Sequence, residues 1–191
     1  YYSNGQKFVE LNYRRGIKHG KFLEWYDDGK ERIVSAYQNG QLDGPVSQNF
    51  PSGQKQTEGV YRGGLQHGIF REWHDGKEHH LAVERSYSGG RPEGTQTVWH
   101  PNGQKSAIGV FIDGKRHGPW TEWYDNGQKQ KEGVFEDDKE HGVWTRWYTN
   151  GNKKSQGEYY KGLQHGTWIY YTEIDGTEYE RKNYPTRHNI K

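Results

Sequence analysis

The chain has 191 residues, with 27 Lys plus Arg against 25 Asp plus Glu, a formal net charge of +2, and neither Cys nor Met. Without Cys, disulfides and thiolate metal sites are excluded, and without an apolar run near 18 residues nothing reads as a membrane-spanning helix. Apolar residues make up only 29%, while 8 Trp, 15 Tyr and 27 Gly point to a thin aromatic β structure rather than a thick aliphatic core.

The opening "YYSNGQK" reads as the end of a repeat unit, so the chain is expected to be a fragment or a processed form. From there, an Asn, Asp or Ser before Gly recurs at Gly5, Gly29, Gly53, Gly76, Gly103, Gly127, Gly151 and Gly176. A second marker, His-Gly or acid-Gly, falls at Gly20, Gly44, Gly68, Gly94, Gly118, Gly142 and Gly166. Seven residues before each stands an aromatic: Tyr13, Tyr37, Tyr61, Tyr87, Phe111, Phe135 and Tyr159. Both markers read as turns, because Asn-Gly and Asp-Gly supply the positive φ that tight hairpins need. Six units also place a Gly three residues past the aromatic; Asp138 takes that place in the seventh and tolerates the left-handed region.

In chain order, the unit from Tyr13 to Gly29 is regular. The middle, residues 41–100, is not. "QLDGPVSQNFPSG" has Asp43 for the His, with Val46 and Asn49 where aromatics usually stand. The Gly53–Gly76 step is one short and the Gly76–Gly103 step three long. A net insertion of two within residues 77–86 preserves strand alternation and predicts a bulge or a longer loop. "RPEGTQTVWHPNG" then has Glu93 for the His and Gln96 for the first aromatic. Three near-consensus units follow, with strand-length runs such as "SAIGVFI" and "WTEWY", and the pattern ends near Tyr184. No segment carries a sustained helical period with caps.

The unit is therefore a β-hairpin of about 24 residues. Hairpins are marginal alone and gain edge partners and a continuous aromatic layer by stacking. The expected fold is all-β, an elongated single-layer antiparallel sheet forming one repeat domain over 1–191. It holds seven hairpin repeats and a partial eighth, roughly 70 Å long at two strands per unit. The Trp residues read as structural. Gly59, Gly109, Gly133 and Gly157, each two before a first-strand aromatic, are expected to lie under a neighbouring ring.

The pattern "NGQK…EGxYxxGxxHGxWxxWYxNG" resembles the MORN repeat, and more closely the bacterial MORN-repeat variant of the YwqK-family antitoxins. The residues that carry it are Asn102-Gly103-Gln104-Lys105, Gly109, Phe111, Gly114, His117-Gly118, Trp120 and Trp123-Tyr124, with their equivalents along the chain. The resemblance implies toxin neutralisation by direct contact or a surface interaction role. Related eukaryotic repeats imply membrane-lipid contact.

No nucleophile elbow, phosphate loop or His-Glu-x-x-His is present, so no catalysis and no cofactor are expected. Basic residues alternate with acids, which argues against a nucleic-acid partner. The repeat histidines His19, His67, His117, His141 and His165 should lie ~10 Å apart, too far to share a metal, so no metal is expected. The expected function is protein binding, first as an immunity or antitoxin protein that occludes a toxin, with a scaffold, adhesin or lipid-binding role as the alternative. Cytoplasmic placement follows from the first reading and the cell envelope from a processed lipoprotein. Specificity needs features that competing surfaces lack, so the expected partner-binding residues are Asp43, Asn49, His74, His79, His80, Glu93 and Gln96, with Asp43, Glu93 and the His pair at turns or a bulge.

Overall fold

The computed structural model describes residues 1–186. Residues 187–191, the tail of the expected domain 1–191, lie outside the described residues. Among the described residues every regular element is a β-strand. The chain divides into two compact units, Tyr1–Pro92 and a second that begins at Glu93.

The first unit holds β1 (Val9–Arg14), β2 (Ile17–Trp25), β3 (Glu31–Gln38), the two-residue β4 (Gln41–Leu42), β5 (Gly44–Asn49), β6 (Lys55–Arg62), β7 (Leu65–Trp73) and β8 (Leu81–Ser88). The second follows from β9 (Arg91–Trp99), whose first two residues belong to the first unit. It continues through β10 (Lys105–Ile112), β11 (Lys115–Trp123), β12 (Lys129–Glu136), β13 (Lys139–Trp147), β14 (Lys153–Tyr160), β15 (Leu163–Tyr171) and β16 (Glu178–Tyr184). Within each unit the strands pair antiparallel in chain order, with β4 alongside β3. The all-β, tandem-hairpin architecture read from the repeat is thus the observed one.

Two connections alternate. The tighter one follows the aromatic marker. Arg15-Gly16, Asn39-Gly40, Gly63-Gly64, Gly89-Gly90, Asp113-Gly114, Asp137-Asp138 and Lys161-Gly162 all have positive φ at both residues, the two-residue turn whose twist matches paired strands. Asp138 holds φ 69°, as its place in the pattern requires. The Asn-Gly marker makes the longer connection. At Asn102-Gly103 only the Gly has positive φ, in a three-residue loop closed by Gly103 N donating to His100 O (2.9 Å) and His100 N to Gln104 O (2.8 Å); in the longer connection at Gly76, His79 has it as well (φ 49°).

The His-Gly marker is not a turn, contrary to its reading from sequence. It lies inside the second strand of each hairpin. Gly118 takes φ 81° within β11, and the register slips between the Gly109↔Trp120 and Phe111↔Arg116 pairs. This is a bulge that needs a left-handed residue, a role sequence spacing alone cannot separate from a turn.

The insertion of two residues lies in the connection between β7 and β8. Residues 74–80 span it, with His74 N donating to His80 O (2.9 Å). Pairing resumes at Trp73↔Leu81 in the phase of the other repeats, so alternation survives.

Ring stacking holds one face of each unit together. In the second unit Phe111, Trp120, Phe135, Trp144, Tyr159 and Trp168 meet edge to face at centroid distances of 5.0–6.3 Å, the arrangement aromatic quadrupoles favour. Trp144 and Trp168 are completely buried. Each ring also covers a bare backbone. A Cβ built on Gly109 would lie 1.9 Å from the Trp120 ring, one on Gly133 2.2 Å from Trp144 and one on Gly157 2.3 Å from Trp168. In the first unit Phe70 covers Gly59 at 2.4 Å in the same way. The expected glycine cover is real, and it is steric: no other residue fits beneath the ring.

Candidate functional site

Repeat-to-repeat hydrogen bonds engage the asparagine markers and a row of loop tyrosines. Asn4, Asn102, Asn126 and Asn150 each donate a side-chain N–H to a carbonyl 23 residues on (2.7–2.8 Å). Tyr2, Tyr26, Tyr124 and Tyr148 donate their hydroxyls to carbonyls at the same offset (2.7–3.1 Å). His100 bridges to Trp123 O at 2.9 Å. These residues specify stacking, not recognition.

The sequence-derived candidates fall into this scheme in part. In the first unit, Asp43 Oδ2 accepts the N–H of Gly63, the first residue of the next two-residue turn (3.0 Å). Asn49 donates to Glu31 O (3.0 Å) and its own carbonyl accepts the Tyr26 hydroxyl. His79 stacks parallel on Trp73 at 6.0 Å, and His80 approaches Glu78 at 3.6 Å. The long connection gathers His74, His79 and His80, yet among the described residues no group of three or more His, Cys, Asp or Glu is placed to hold a metal ion. In the second unit, Glu93 repeats the role of Asp43, accepting the N–H of Asp113 (2.8 Å). Gln96 is 6% exposed, so it lies beneath the surface.

The face opposite the rings, which sequence reasoning missed, carries exposed apolar side chains. Side chains alternate along a strand, so the residue before each core aromatic points to that other face. In the first unit Pro45 pairs with Val60 and Ile69 with Ser86. In the second, Pro119 pairs with Val134 and Val143 with Glu158. Val60, Ile69, Val134 and Val143 are 37–53% exposed, apolar side chains left in water on this face. In the first unit this face sinks into a hollow of about 410 Å³ bordered by Val34, Pro45, Val60 and Ile69, with Glu58 and Arg71 on its rim. The signal was available in the sequence: these positions lie between the markers, one before the core ring and one after the covered glycine.

Charge on this face is neutralised locally. Lys55 pairs with Glu58 and Lys129 with Glu132, both at 2.6 Å. The Lys55 hydrogen bond, first among its influences, holds the Glu58 carboxyl below the usual glutamate range. The same lysines lie 5.8 and 5.6 Å over Trp73 and Trp147, favourable cation–ring contacts.

The fold is thus an array of tandem β-hairpins with one ring-filled face and one partly apolar open face. A family model described as the MORN repeat variant matches residues 92–113, 116–137 and 140–161, three tandem segments. No curated protein matches the chain. Among solved structures, the GtfA/B complex bound to UDP and GlcNAc is 15% identical, with a TM-score of 0.24. The match covers 72% of this chain and 26% of that one, so this chain spans about a quarter of that protein's length. A likeness that weak carries no argument.

Proposed function

We propose that the chain is a non-catalytic, protein-binding repeat protein, and that its specific role is immunity: it covers the active surface of a toxin through its open sheet face. The observation that carries the reading is the exposed row Pro45, Val60 and Ile69 in the first unit and Pro119, Val134 and Val143 in the second. Apolar area left in water on a rigid sheet is what a protein interface buries, and the neutralised lysine–glutamate pairs beside it add little desolvation cost beyond their own. The MORN-variant match supports a repeat-based binder; the antitoxin role rests on the resemblance of the repeat pattern.

A photo-crosslinking residue at Val134 or Val143, in cells that naturally express the chain, is expected to trap one protein identifiable by mass spectrometry. Co-expression with that protein should then relieve its growth inhibition. Trapping of lipid alone would overturn protein binding, and a trapped protein without toxicity would overturn immunity while leaving the binding role.

A further inference from the structure

The strand after each of these longer loops carries one bulged residue, beside the penultimate residue of the strand before the loop. In the first unit this pair is chemically matched. Arg32 donates to Glu24 at 2.7 Å, and Gln48 donates to Gln56 at 2.9 Å. In the second unit Tyr179 packs on Tyr170 at 6.5 Å. Val98 and Ser106 form an unmatched pair at the same place, and Arg146 and Lys154 form the like-charged one, both partners being cations. On its other side Arg146 stands directly opposite Lys131 in the β12–β13 register.

Like charges directly opposite on a sheet are destabilising. Three converge here, and the carboxylate facing them is Glu122, 3.0 Å from Lys131. Arg146 donates Nη2 to the Tyr159 hydroxyl (2.9 Å), while its Nε is buried without a hydrogen-bond partner among the described residues. Lys154 lies 5.3 Å over the Tyr148 ring. The three cations, with Tyr124, Gln130 and Trp147, line one hollow of about 310 Å³.

We infer that this hollow binds the carboxylate of an acidic segment of the protein partner. The inference rests on the protein-binding reading above and adds a second contact to it. Arg146 follows Trp144 by two residues along β13 and bonds Tyr159, so this hollow opens on the ring face, and the proposal names the chemistry a partner reaching that face would present. Charge-assisted hydrogen bonds from Arg146 and Lys154 would satisfy the carboxylate and relieve their mutual repulsion at once. Tyr124 and Trp147 complete the lining, and Gln130 offers an amide donor. The like-charge pair is then a cost in the free protein that binding removes.

The test is calorimetric titration of the full chain, at fixed ionic strength, with a hexaglutamate peptide, a hexaglutamine peptide and inorganic phosphate. Hexaglutamate should bind and raise the melting temperature; hexaglutamine should do neither. Lys154→Glu should weaken hexaglutamate binding at least about tenfold. The same variant should melt higher than the parent without peptide, because it restores an opposite-charge pair with Arg146. Lys161→Glu, a charge reversal outside the hollow, should leave binding unchanged. Equal weakening by Lys161→Glu, phosphate binding without hexaglutamate binding, or no binding of either ligand overturns the site. A protein trapped at Val134 alongside a negative titration would reject this inference alone, and the converse would reject the proposed sheet-face interface alone.

Discussion

Trp144 lies fully buried between Phe135 and Tyr159 and covers Gly133, whereas Trp123, three residues from Trp120 on the same strand, is only half-buried. Trp144→Ala is expected to cost about 3–5 kcal/mol, and Trp123→Ala clearly less, by urea denaturation of each variant. Equal losses would contradict the division between the two ring rows. Gly133→Ala should destabilise by displacing the indole rather than by removing contacts, at about 1–3 kcal/mol, and pairing it with Trp144→Ala should abolish that extra cost. The markers located all these residues in the sequence. Which Trp fills the core was not legible, because both recur with the same period and only strand phase separates Trp120 from Trp123.

At the scale of the hairpin, the sequence revealed that turns exist but not which marker makes which. His-Gly proved to be a bulge because a left-handed Gly within a strand and one at its end look alike on paper. For the same reason the sequence puts Asp43 and Glu93 at turns as partner-binding residues, whereas their carboxylates hold the N–H of Gly63 and Asp113. A test of partner contact there should use Asp43→Asn and Glu93→Gln, which keep an acceptor oxygen; Lys at either place is expected to cost about 1 kcal/mol in lost turn bonding. The turn at Asp138 carries a pH signature. The hydrogen bond from Arg116, then that from its backbone N–H, holds the Asp138 carboxyl below its ordinary range. A carboxyl depressed in the folded state adds stability that is present above the unfolded value of about 3.9 and is lost as pH falls through the folded value. Asn also tolerates the left-handed backbone, so Asp138→Asn keeps the turn. The melting temperature of the variant should trail the parent at neutral pH and converge with it below about pH 4. A gap that persists unchanged into acid would mean the carboxylate charge contributes nothing.

Across the whole chain, the two units differ in how their ring faces are filled. Among the described residues every buried large apolar side chain, Trp120, Phe135, Trp144, Tyr159 and Trp168, belongs to the second unit. The first unit uses smaller or polar residues at the same places: Phe22 faces Ser35, Val46 faces Gly59, and Phe70 faces Arg85. In a repeat array, stability is close to a sum of each hairpin's own term and its contacts with neighbours, so local opening should follow ring content. Backbone amides of β10–β15 are expected to exchange with deuterium more slowly than those of β2–β7, and Trp144→Ala should remove that advantage first in β12–β14, whose strands flank the lost indole. The comparison is internal to one molecule, which cancels differences in solvent and temperature. Equal protection in both units would show that backbone pairing, not ring burial, sets the stability of these hairpins; faster exchange in the second unit would reverse the assignment of its core.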